Sequence, residues 1–263
     1  MEIKPKKSLG QNFLKDNNII KQIVDIGDIS ENNTVIEVGP GTGSLTEFIL
    51  KKKPKKFFVI EKDSSLVSFL KKKFNKNINV INEDILKVDL KEISNDKIII
   101  FGNLPYNIST RLLTKWIISS GKKPFYKKLI LMFQKEVADR IVATTNSQNY
   151  GRLSIITNWR LNVKKEFNIS SKCFLPKPKV DSTLLSFTPR EDFFFIKDPK
   201  NIEKITRIFF NQKRKMIKKP LKQIFKEYET IAKNFKIDLN LRPQNLSPLT
   251  YFKITKEYEK LNS

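Results

Sequence analysis

No histidine occurs anywhere in this chain of 263 residues, which removes a Ser-His hydrolase relay, a histidine-ligated metal and an imidazole base from the possible chemistry. The single cysteine, Cys173, excludes an internal disulfide and a cysteine-built zinc cluster, and its default setting is a reducing compartment. No stretch approaches the roughly 18 to 20 unbroken apolar residues that a bilayer span requires. The start, Met1 to Lys7, lacks the apolar core of a signal peptide. A soluble, cytoplasmic protein is the expectation. Acids are scarce too: 27 Asp and Glu stand against 51 Lys and Arg, a formal charge of +24. Such a surplus favours a polyanionic partner, because each neutralised phosphate releases counterions. Lysine supplies 43 of the 51, so a basic surface of merely solvated lysines stays open beside a nucleic-acid partner.

What is present begins with a globular hydrophobic content of 39% and short β-rich runs separated by amphipathic stretches, the pattern of a mostly parallel sheet wrapped by helices. The runs Thr34 to Val38, Phe57 to Glu61, Ile78 to Asn82, Ile98 to Phe101 and Lys128 to Phe133 read as strands. Leu45, Phe48 and Ile49, at i, i+3 and i+4, make a helical face straight after Gly43. Asn162 to Ile169 and Ser182 to Thr188, joined through the Pro-containing loop at 174–178, predict an antiparallel hairpin at the sheet edge. After Pro189-Arg190 the pattern turns to short helices broken by Pro199, Pro220, Pro243 and Pro248. The expected division is therefore a catalytic α/β domain over 1–190 and a small basic helical domain over 191–263. Between Lys204 and Lys226 nine basic residues occur without an acid, interleaved with Phe209, Phe210, Met216, Leu221 and Phe225. An amphipathic helix with a wet lysine face and an RNA-docking face both fit that pattern.

Glycines 39, 41 and 43 follow the first strand of the sheet and allow a tight turn with close backbone approach to a ligand. The dinucleotide fingerprint needs Gly-x-Gly-x-x-Gly, and Ser44 stands where its third glycine belongs, so a diphosphate is disfavoured. Glu37 sets a carboxylate beside the turn, which suits a cationic ligand. S-adenosylmethionine has that character, with a sulfonium, an ammonium and no phosphate. Glu61, ending the second strand, can take both ribose hydroxyls, and Asp84, after the third, can accept from an adenine amino group. Both lie at C-terminal strand ends, the ligand edge of an open α/β sheet.

Asn103-Leu104-Pro105-Tyr106 follows the fourth strand. An aromatic amine is a poor nucleophile because its lone pair is delocalised into the ring. If the Asn103 side-chain oxygen and the Leu104 carbonyl each accept an amine hydrogen, the nitrogen moves toward tetrahedral geometry and no strong base is needed. Pro105 stiffens the turn and removes a donor, and Tyr106 offers a ring to stack on a purine. Methyl transfer to an adenine is the chemistry this arrangement predicts, with most of the catalysis in positioning.

Ser8-Leu9-Gly10-Gln11-Asn12-Phe13-Leu14, Glu37 to Thr46, Glu61, Asp84, Asn103 to Ser109 and Phe174 to Ser182 together resemble the ribosomal RNA adenine dimethyltransferase family, most closely its bacterial small-subunit group. The similarity runs from Lys4 into Phe210 to Lys215. It implies a Rossmann-like sheet with helices on both faces and cofactor contacts from Asn12, Leu14, Gly39, Gly41, Glu61, Asp84 and Asn103. It implies a target adenine at Asn103, Leu104, Pro105 and Tyr106, with Phe174 near the other face of the base. The implied reaction is S-adenosylmethionine-dependent dimethylation of two adjacent adenosines in the 3′-terminal hairpin loop of small-subunit ribosomal RNA. The implied setting is an immature subunit, met by a monomer that uses no metal and no membrane. Leu9-Gly10 before Gln11, Leu104, and the Pro-Lys-Val-Asp-Ser run separate the chain from the related large-subunit methylases of antibiotic resistance. Intact 37–43 and 103–106 segments separate it from an assembly factor without turnover.

Overall fold

The computed structural model describes residues 5–6, 9–121 and 123–262. Lys4, where the similarity begins, and Ser8 of the first motif lie outside the described residues, as do Met1 to Ile3 and Lys7 of the start. A two-residue strand β1 (Phe13–Leu14) and helix α1 (Asn17–Ile26) precede an alternation of β2 (Thr34–Val38), α2 (Ser44–Leu50), β3 (Lys56–Glu61), α3 (Ser64–Phe74), β4 (Asn79–Asn82), β5 (Ile98–Gly102), α4 (Tyr106–Ser119) and β6 (Tyr126–Gln134). After these come α5 (Lys135–Ile141), α6 (Arg152–Arg160), β7 (Leu161–Ile169), β8 (Phe174–Leu175) and β9 (Ser182–Pro189). The chain ends in α7 (Pro199–Phe210), α8 (Lys218–Ile224), α9 (Tyr228–Asn234) and α10 (Pro248–Leu261).

Seven strands form one sheet in the order β4-β3-β2-β5-β6-β9-β7. The pairs from β4 through β6 are parallel, and β9 runs antiparallel to β6. Every residue of β2 and of β5 is buried, the mark of parallel strands covered on both faces. The expected hairpin is present, with Thr183 bonded to Asn168 and Ser186 to Glu166 through side chains. β9 takes the inner position and lysine-bearing β7 the edge. The expected strand at Ile78 begins one residue later. Asn75 adopts φ 49° and opens a 3₁₀ turn, so Ile78 is buried at 6% while the ladder starts at Asn79 opposite Phe58. Beneath the sheet, Ile20, Ile23 and Val24 of α1, Leu45 and Ile49 of α2, and Leu70 and Phe74 of α3 join Val35, Val59, Ile99 and Phe101 in one core.

The chain divides into two compact units. The first holds the described residues up to Leu113 with 120–138 and 163–189; the second holds 114–119, 139–162 and 190 onward. A linear division at 190 therefore marks the end of the sheet but not the start of the second unit. The reason is packing: α6 lies against α7 and α10 and buries Ile155, Ile156 and Trp159, whose indole donates to the Phe194 carbonyl at 2.7 Å. Tyr150 likewise donates to the Leu246 carbonyl, and Phe209 meets Tyr251 edge-on at 5.2 Å. No described helix is long and apolar enough to cross a membrane.

Candidate active site

The chain leaves β2 toward β3 and β4 on one side and returns through β5 and β6 on the other. This makes β2 and β5 the switch point of the sheet, where open α/β folds hold their ligands. Val38 lies opposite Gly102, so the glycine turn and the Asn103 loop leave the sheet side by side and line one cleft. Gly39 has φ 70° and sits where a Cβ would stand 3.4 Å from the Asn103 carbonyl oxygen. Gly41 has φ 58°, and a Cβ there would come within 2.7 Å of the Phe13 ring. The turn thus needs glycine twice, for its backbone conformation and for the close passage of the N-terminal segment over it.

Among the described residues that line the cleft, four are acids, Glu37, Glu61, Glu83 and Asp84, and one, Lys62, is a cation. In a chain of net charge +24 this is a local reversal of sign. Glu61, at the end of β3, is 8% exposed and accepts the Asp63 N–H at 2.9 Å, with further backbone bonds from Gly41 and Lys62. Burial raises its carboxyl above the usual range despite them. Asp84 is tied differently. It accepts the Leu86 N–H at 3.0 Å and the Lys62 ammonium at 2.9 Å, and these hold its carboxyl below the usual range.

Glu37 stands beside the turn as expected and lines the cleft, buried in β2 at 2% exposure. Thr46 Oγ1 donates to it at 2.6 Å. Desolvation outweighs that bond, and with the nearby Glu61 charge it pushes the Glu37 carboxyl up to about 8. Near neutral pH it is mostly a neutral acid, and a cation entering the cleft would draw its proton away.

At the other wall, Asn103 Nδ2 donates to the Asn12 carbonyl at 2.9 Å. That bond uses the amide nitrogen and leaves Oδ1 on the branch of the amide away from the Asn12 carbonyl. The Leu104 side chain is 2% exposed and anchors the loop, while Pro105 carries it into α4 through the bond from the Ile108 N–H. Tyr106 lines the cleft, and its hydroxyl pairs with Ser182 Oγ at 2.7 Å. Asn12, Leu14, Gly39, Gly41, Glu61, Asp84 and Asn103 to Tyr106 are therefore brought together. Phe174 is not: it is 2% exposed, does not line the cleft and belongs to the core. The reason is its place on β8, paired with β1 opposite Leu14, with which it shares the core.

Sequence reading missed the residues that hold this segment down. Asp63, whose side chain is 3% exposed, takes Lys6 Nζ at 2.7 Å and Gln11 Nε2 at 3.1 Å. These bonds hold the Asp63 carboxyl well below the usual range against the opposing pull of burial. A local signal existed only for its other role as N-cap of α3, since the partners lie 57 and 52 residues away. Among the described residues no group of three or more His, Cys, Asp or Glu is placed to hold a metal ion.

A switch-point cleft with a glycine turn lacking the diphosphate fingerprint, and acids at successive strand ends, defines a Rossmann-like, S-adenosylmethionine-dependent methyltransferase fold. The ribosomal RNA adenine dimethylase family model matches residues 3–260. A protein named ribosomal RNA small subunit methyltransferase A from Pelagibacter ubique (strain HTCC1062) is 59% identical over 261 residues, 99% of each chain. One of the same name from Ehrlichia ruminantium (strain Gardel) is 42% identical over 252 residues, 93% of this chain and 94% of that one. A crystal structure of a dimethyladenosine transferase from Plasmodium falciparum superposes with a TM-score of 0.79 at 29% identity, over 95% of this chain and 98% of that one. The structure of the 23S rRNA methyltransferase ErmE shares the fold, with a TM-score of 0.69 at 21% identity, covering 95% of this chain and all of that one. The chain belongs to the ribosomal RNA adenine dimethylase family and is a methyltransferase.

Proposed function

We propose that the protein dimethylates the exocyclic amines of two adjacent adenosines in the 3′-terminal hairpin loop of small-subunit ribosomal RNA, acting as a cytosolic monomer on an immature subunit and without a metal. The names of its relatives support the small subunit as target. The observation that carries the chemistry is the orientation of Asn103. With Nδ2 spent on the Asn12 carbonyl, Oδ1 is directed to accept one hydrogen of the target amine, and the Leu104 carbonyl accepts the other. The nitrogen lone pair then leaves conjugation and points at the methyl group.

S-adenosylmethionine, when bound, supplies a methyl group already activated by its sulfonium. Its fit rests on the donor set: Glu61 for the ribose hydroxyls, Asp84 for the adenine amino group, and an acid-lined cleft for its positive charges. With that group bound, the amine nitrogen would gain the methyl as the carbon–sulfur bond broke, and one amine proton would pass to solvent. Tyr106 stacks on the base. The second unit, with its basic 204–226 segment, docks the ribosomal RNA, so that the two units divide catalysis from docking.

The test is single-turnover methylation of under-methylated small subunits at saturating cofactor, with bare large-subunit RNA as control and the modified adenosines mapped. Asn103→Ala should lower the rate by roughly two orders of magnitude, the scale of one well-placed polar transition-state contact. A wild-type rate from the folded variant, or modification of the large-subunit control alone, would overturn this reading.

A further inference from the structure

Tyr106 stands at the first position of α4, where a ring on two torsions would normally swing. It is held at both ends. Ser109 Oγ donates to the Tyr106 carbonyl at 3.1 Å, and the phenol hydroxyl pairs with Ser182 Oγ at 2.7 Å. Ser182 is fully buried and opens β9 opposite Gln134 of β6. Its neighbour Asp181 is fixed from two sides, by the Ser171 N–H on its carboxylate at 2.8 Å and by the Lys135 N–H on its carbonyl at 3.0 Å. Tyr106 is thus tethered to a buried residue that opens a strand of the sheet.

The tether closes a ring around the catalytic loop. From Asn103 the bond to the Asn12 carbonyl leads into β1, β1 pairs with β8, and the Lys15 N–H donates to the Cys173 carbonyl. From there the 3₁₀ turn Ser171–Cys173 leads to Asp181, Ser182 and back to Tyr106. Asn103 and Tyr106 are three residues apart and are gripped from opposite ends of one frame. One end orients an acceptor and the other sets the plane of an aromatic ring, and these must agree for an amine and its purine to be aligned together.

We infer that Ser182 is a positioning residue for the methyl-transfer step, setting the plane of the Tyr106 ring so that a stacked adenine presents its amine to Asn103. This rests on the adenine-methylation reading above. Ser182 does not line the cleft and acts through Tyr106. Burial raises the Tyr106 phenol above its ordinary range, so the hydroxyl works as a hydrogen-bonding partner and takes no proton from the amine. Removing either hydroxyl leaves the other half-buried or buried without its partner and frees the ring.

The experiment is a double-mutant cycle in single-turnover rate at saturating cofactor with Ser182→Ala, Tyr106→Phe and the pair, on under-methylated small subunits and on large-subunit RNA. Each single change should lower the rate roughly 10-fold with unchanged cofactor affinity and a melting temperature lower by no more than a few degrees, and the pair should be no slower than the slower single. Ser182→Thr, which keeps the hydroxyl, should recover most of the rate. Multiplicative losses, a wild-type rate from Ser182→Ala, or a loss confined to cofactor affinity would overturn the inference. If the wild type methylates only large-subunit RNA, the small-subunit reading fails while the cycle decides Ser182 on that substrate. A wild type inactive on both overturns the two together.

Discussion

The cleft of the first unit and the 204–226 segment of the second carry charge of opposite sign and hold it in opposite ways. In the cleft Glu37, Glu61 and Asp84 are each bound by named partners; burial raises the first two carboxyls, and the Leu86 N–H with Lys62 lowers the third. In the basic segment eight of the nine cations are exposed, while Ile205, Phe209, Ile217, Leu221 and Phe225 go to the interior. Three of the nine have local partners: Lys213 donates to the Gln148 carbonyl at 2.9 Å, Lys204 meets the Tyr258 hydroxyl, and Lys218 lies over the Tyr228 ring at 6.0 Å. Fixed, desolvated charges discriminate one small ligand. Mobile, hydrated ones suit a long polyanion and depend on salt.

The largest effect expected in the cleft after loss of Asn103 comes from Tyr106→Ala, which removes both the stacking face and the tether. Stacking alone is worth about 1 to 3 kcal/mol per base and the tether roughly a further 10-fold, so single-turnover methylation should fall by about two orders of magnitude or more. Tyr106→Phe should fall between this variant and wild type. Equal loss from Phe and Ala would make the hydroxyl, and not the ring, the working part.

Glu61→Ala should weaken cofactor binding by about 10- to 150-fold, the worth of roughly 1.5 to 3 kcal/mol for bonds to a charged group. Because Glu61 also receives the Gly41 and Asp63 N–H groups, Glu61→Gln should retain much of the turn and lose less. Calorimetry on the folded variants decides it, and unchanged affinity in Glu61→Ala would remove this carboxylate from the site.

The basic segment should respond to salt where the cleft does not. Replacing Arg214, Lys215 and Lys219 with Ala should reduce the salt slope of small-subunit binding by about 0.7 to 0.9 for each phosphate that is no longer neutralised, with cofactor affinity unchanged. Lys213→Ala should instead lower the melting temperature slightly, because that side chain supports Gln148. A slope that survives the triple change would make this face a solvated helix surface and nothing more.

In cofactor affinity the smallest effect is the pH dependence set by Glu37. Its carboxyl rises from an ordinary 4.5 to about 8 in the folded protein, so the folded state keeps a proton that the unfolded chain releases. Stability should therefore decline as pH rises from about 4.5 to about 8 and level off above that. A bound cation favours the ionised form, so cofactor affinity should rise by a few-fold across pH 6 to 8 with proton release. Glu37→Gln should flatten both trends. Titration calorimetry in buffers of different ionisation enthalpy measures the released proton, and none released would remove Glu37 from the electrostatics of binding.

Much of the frame was legible along the chain. β2 and β5 are continuous apolar runs, the glycine turn and the Asn-Leu-Pro-Tyr loop follow them directly, and Glu61 and Asp84 stand at or just past strand ends. These are local signals, in which a residue's role depends on neighbours within one strand, turn or helix. The chain is less legible where placement depends on distant packing. The α6 region reads as part of the catalytic domain, yet it packs with α7 and α10; Phe174 reads as a base contact, and the structure places it in the core at 2% exposure, off the cleft lining.

Residue order was enough to settle the succession of strands and helices, the glycine geometry and the identity of the groups at the ligand edge, because hydrophobic period, turn chemistry and side-chain type act over a few residues. It took the assembled fold to settle which way Asn103 faces, through a carbonyl 91 residues away, and where the Tyr106 ring is held, through a hydroxyl 76 residues away. The same holds for Glu37 as a buried acid with a raised carboxyl. Hydrogen-bond direction and desolvation are properties of a closed neighbourhood in space, and no stretch of chain contains them until the sheet has assembled.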